Sequence, residues 1–88
     1  MATDHTIFLF KKFGEILTPG GFEVGVGDPN IIGFTLPLES PTTSIERMEA
    51  FVYLILKDHN LEIKEPTEFL FYQKNGEQIG GIEISPKK

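Results

Sequence analysis

The chain has 88 residues, no cysteine, 13 acidic against 8 basic side chains and a formal net charge of −5. Those figures fit one domain, residues 1–88, with a small core that neither disulfides nor thiolate-bound metal can reinforce. They also argue against the basic stripe of a nucleic-acid binder, because Arg47 is the lone arginine and the lysines are scattered apart from Lys11-Lys12 and Lys87-Lys88.

The longest apolar run, Ala50 to Leu56, is far short of the roughly 18 residues that a membrane span needs. Met1 to His5 lacks the basic n-region of a signal peptide. No membrane partner is expected, and the composition is that of a folded cytoplasmic protein.

Glycine and proline divide the chain into segments. Thr6 to Phe13 contains the consecutive run Ile7-Phe8-Leu9-Phe10. Short, β-branched and aromatic, it reads as a strand. Thr18-Pro19-Gly20-Gly21 follows as a turn, after which Phe22, Val24 and Val26 alternate with Glu23, Gly25 and Gly27. That period of two is the mark of a half-buried strand. Gly27-Asp28-Pro29-Asn30 reads as a type I turn. Ile31 to Leu36 reads as a third strand, ended by Pro37, and the three strands are expected to form an antiparallel meander.

A helix is predicted next. Thr43 can cap it, with Glu46 completing a capping box; Ser40-Pro41 is an alternative start. Its apolar arc holds Ile45, Met48, Val52, Ile55 and Leu56, with Phe51 at the margin and Leu54 outside. The helix should run to about Asp58 or His59, with Asn60 in the left-handed region and Leu61 closing the cap. Capping also explains the hydroxyls of residues 40–44 without a phosphorylation site.

Glu68 to Lys74 and Glu77 to Ser85 flank Asn75-Gly76, a strong two-residue hairpin signal. The implied register sets Tyr72 opposite Ile79, Phe71 opposite Gly80, Leu70 opposite Gly81 and Phe69 opposite Ile82. Large side chains then lie across from the two glycines.

The expected fold is α+β: a two-layer sandwich in the order βββαββ, its mostly antiparallel sheet of about five strands carrying one helix on one face. Alternation puts apolar side chains on both faces of the first and the last two strands. One helix covers one face. The other is an assembly surface, closes into a small barrel, or is covered by loops 15–21 and 37–41.

No catalytic, cofactor or metal motif is present. His59 sits in the last helical turn, where a histidine favours the helix dipole, and His5 is expected to be solvated. Gly25-Val26-Gly27 lacks the third glycine and following helix of a dinucleotide fingerprint. Glu15, Glu23, Asp28 and Glu39 match no calcium loop.

The leading expectation is a small non-enzymatic protein-interaction module of the inhibitor, immunity or adaptor kind, binding a protein partner or pairing with itself as a dimer. The residues expected to carry it are Ile7, Leu9, Leu70, Tyr72 and Ile79, with Phe51 and Leu54 on the helix; with the faces inverted, Phe8, Phe10, Phe69 and Phe71 take their place. One alternative is a small-molecule binder or enzyme with a pocket between helix and sheet near His59. The other is a structural subunit that pairs through an edge strand.

Overall fold

A computed structural model describes residues 1–37 and 44–86. It is an α+β sandwich of two helices on one four-stranded mixed sheet. The elements are α1 (Asp4–Leu17), a single 3-10 turn (Thr18–Gly20), β1 (Glu23–Gly27), β2 (Ile31–Thr35), α2 (Ile45–Asp58), β3 (Thr67–Tyr72) and β4 (Gln78–Ile84). Strand order is β1-β2-β3-β4, with antiparallel outer pairs and a parallel β2–β3 pair at the centre.

The first segment corrects the predicted fold. Residues Thr6 to Phe13 are helical, so the sheet has four strands and the layer above it has two helices. The reason lies in a longer window than the apolar run itself. Thr6, Leu9, Phe13 and Leu17 are buried, at the spacing of one helical face. Thr3 caps this helix by accepting from the Thr6 N–H at 3.2 Å, and Asp4 lies in the positive first turn. The outward side chain of Phe8 is half exposed, with the Lys12 ammonium 5.7 Å from its ring centre.

The second correction is the parallel central pair. A chain that leaves β2 and re-enters beside it in the same direction needs a long crossover, and α2 is part of that crossover. Ser44, whose hydroxyl accepts from the Arg47 N–H at 3.2 Å, caps α2; the expected cap at Thr43 lies outside the described residues, as does Ser40-Pro41. Met48, Val52, Ile55 and Leu56 of the predicted arc are buried, whereas Ile45 is exposed at the first turn. Asn60 has φ 55°, and the Leu61 N–H donates to the Leu56 carbonyl at 2.8 Å, as a left-handed cap requires.

The turns differ in detail. The Asp28–Pro29 peptide is cis, in place of the expected type I turn. In the second hairpin only Gly76 takes positive φ, at 92°, and its N–H donates to the Gln73 carbonyl at 2.8 Å. Gln73 N–H in turn donates to the Glu77 carbonyl, which makes Lys74-Asn75-Gly76 a three-residue loop rather than a two-residue one. Phe69, Leu70 and Phe71 keep the predicted partners, but a register irregularity sets Tyr72 against Gln78 instead of Ile79.

The core lies between the helices and the inward face of the sheet. Phe34 is its centre, with ring centroids of Phe13, Phe51, Phe69 and Phe71 at 5.3–5.9 Å. α1 lies over β1 and β2, and α2 lies over β4. Gly80 belongs to this face: a Cβ there would stand 2.8 Å from Met48 Cε.

Candidate functional site

Both helices occupy one face, so the outward face of the sheet is free of any helix among the described residues. Register defines it as three rows running from β1 to β4. One row is Glu23, Thr35, Tyr72 and Gln78; the middle row is Gly25, Gly33, Leu70 and Gly81; the third is Gly27, Ile31, Glu68 and Glu83.

The glycines shape this surface. A Cβ at Gly33 would stand 3.3 Å from the Tyr72 ring, and one at Gly81 would stand 2.9 Å from Leu70 Cδ2. Missing side chains therefore let Tyr72 and Leu70 lie flat across neighbouring backbone, half-buried instead of upright. Gly25 has no atom within 4 Å of such a Cβ, so the middle row is open at the β1 end. The result is a low apolar ridge of Ile31, Leu70 and Tyr72 with bare backbone beside it.

Charge on this face has one sign. Glu23, Glu68 and Glu83 are exposed, and none of the twelve outward positions is lysine, arginine or histidine. Glu68 and Glu83 are direct cross-strand partners, an arrangement of like charges that destabilises a sheet.

The residues singled out from the sequence are divided among several surroundings. Leu70 and Tyr72 lie on the open face. Leu9 is fully buried in the core, and Ile7 is half-buried on α1. Ile79, beside the irregularity, packs against the core, as does Phe51, whose ring stacks on Phe22 at 5.6 Å. Leu54 is exposed on α2, away from the sheet. Ile31 joins Leu70 and Tyr72 only once the parallel register is known. Of the alternative set, Phe69 and Phe71 are buried, Phe10 is half-buried and Phe8 is half exposed. As for an edge, β1 offers one, whereas β2 is central.

A second constellation was missed by sequence reading. The His5 side chain is buried to about 10% exposure, and its Nε2 accepts the Lys64 N–H at 2.9 Å. Nδ1 has no hydrogen-bond partner among the described residues; Glu65 Oε1 stands 3.8 Å away. Behind it, the Thr3 hydroxyl donates to Glu65 Oε1 at 2.9 Å. Turned so that both ends of its amide are satisfied, Asn30 places its nitrogen 2.6 Å from Thr6 Oγ1, 2.7 Å from Thr3 Oγ1 and 3.1 Å from Glu65 Oε1. Thr6 is fully buried. This cluster ties the start of α1 to the β1–β2 turn and to the α2–β3 connection. It holds no exposed nucleophile, so its chemistry is that of a polar clamp.

Two clefts open near that connection. One, about 440 Å³, is lined by His5, Phe8, Leu61 and Lys64 among others. The other, about 240 Å³, lies between the end of α2 and Ile84. His59 lines neither and is exposed at the α2 C-cap. No group of three or more potential metal ligands occurs among the described residues, and no helix there is long and apolar enough to cross a membrane.

Comparison with family models, curated proteins and solved structures finds no match to this chain.

Proposed function

We propose that this chain is a small non-enzymatic interaction module, which binds another protein through the open face of its sheet. One observation supports the reading above the rest. Ile31, Leu70 and Tyr72, each half-buried, lie on the one sheet face that neither helix covers. Uncovered apolar surface of this kind marks interaction sites on soluble domains. Neither of the two clefts is lined by residues of this face, which suits a protein surface better than an enclosed small molecule. An inhibitor, an immunity-type protein or an adaptor would each work this way, and the fold is silent between them.

Tyr72→Lys is the direct test. Tyr72 packs over glycine and not into the aromatic core, so the variant is expected to keep its circular dichroism and to lose no more than about 1 kcal/mol in urea unfolding. Its uptake of an apolar fluorescent probe should fall to a small part of that of the parent chain. Unfolding of the variant, or unchanged probe uptake, would sink the reading.

A further inference from the structure

We infer that the partner of the open face is a cationic protein segment, one that sets an apolar side chain against Ile31, Leu70 and Tyr72 and places lysine or arginine against Glu68 and Glu83. The inference rests on the interaction reading above and names the chemistry of its occupant. Its ground is charge complementarity. Among the described residues, the twelve strand positions of the outward face carry three carboxylates and no cation. Two of those carboxylates, Glu68 and Glu83, are held side by side across β3 and β4 with an apolar neighbour, Leu70 or Gly81, next along each strand on the same face.

The like-charged pair is unfavourable in the free protein, and a cation set between the two glutamates would turn that repulsion into attraction. Desolvation by the apolar ridge would strengthen it further. A second copy fits poorly, because face-to-face pairing puts three carboxylates on each side of one interface, and electrostatic potentials of the same sign are costly there. On the β1 side of the face, Gly25 leaves room for a bulky side chain, with the third carboxylate, Glu23, next along β1 on the same face.

The test uses the whole protein and two synthetic peptides of alternating tryptophan with lysine or with glutamate. Amide signals are followed by NMR at low ionic strength, and affinities by calorimetry. The lysine peptide is expected to move the signals of Leu70, Tyr72, Glu68 and Glu83, and the glutamate peptide to leave them in place. Glu68→Gln combined with Glu83→Gln should weaken lysine-peptide binding about tenfold at low salt and much less at high salt. The same pair should raise the unfolding midpoint, since a repulsion is removed. Glu46→Gln with Glu49→Gln on α2 should leave the affinity unchanged within about twofold.

If both peptides bind this face equally, or if the Glu68/Glu83 variant binds as tightly as the parent, the cationic occupant is wrong while the open face survives as a docking surface. Face signals that move with protein concentration alone, and stop doing so in Tyr72→Lys, would name a second copy instead. Shifts confined to Phe8, Leu61 and Leu54 would overturn both readings. No shift of the face signals at about 1 mM lysine peptide would overturn the cationic occupant.

Discussion

Phe34→Ala is expected to remove a large part of the protein's stability, about 3–5 kcal/mol. The side chain is fully buried, and its ring meets four other phenylalanine rings within 6 Å. Truncating such a residue removes its transfer energy and leaves a cavity, together about 3–5 kcal/mol. The usual margin per residue gives an 88-residue chain a total of roughly 4–13 kcal/mol, so the loss consumes much of it. Each lost aromatic pair adds to that figure beyond the area term. Phe34→Leu keeps most of the volume and should cost less than about 1.5 kcal/mol. The contrast between the two, read from urea unfolding curves, tests whether one ring joins the layers. An alanine variant within about 1 kcal/mol of the parent would show that it does not.

The second large effect is expected at Asn30, a residue on neither the core nor the open face. Its amide nitrogen faces the Thr3 and Thr6 hydroxyls and Glu65 Oε1. Asn30→Ala leaves a fully buried hydroxyl and a half-buried carboxylate short of a donor, at a cost of about 2–3 kcal/mol. Asn30→Asp should cost more than alanine, because it sets a second carboxylate within hydrogen-bonding distance of Glu65. The damage should be local at first. Amide exchange at Ile7, whose N–H donates to the Thr3 carbonyl at 2.9 Å, should quicken before exchange in β3 does. An unaltered urea midpoint in both variants would show that the clamp is ornamental to stability.

Elements fixed by neighbouring residues were legible in the sequence. α2 shows its arc and its Asn60 terminator within one stretch of chain, and the β3–β4 hairpin shows Asn75-Gly76 between two apolar runs. Tyr72 and Leu70 were legible as one face for the same reason, since alternation in a strand is local.

α1 was hidden because its buried face includes Thr6. A threonine enters a core only when partners satisfy its hydroxyl, and Asn30, which faces that of Thr6, arrives from a distant part of the chain. His5 looks solvated in the sequence for want of the same information: its acceptor role depends on the Lys64 N–H. The open face as a whole was half legible. Its glycines stand in the sequence, but their alignment across four strands exists only through the parallel β2–β3 register, which no local pattern encodes.

That parallel pair also governs how the chain reaches its native state. Each hairpin joins strands adjacent in sequence and can zip from its own turn. The sheet becomes continuous only when β2 finds β3 across the α2 crossover, and closing that long loop precedes any reward from the contacts. The β2–β3 pairing is therefore the costliest closure in the sheet, and α2, by compacting the crossover, shortens the span to be closed.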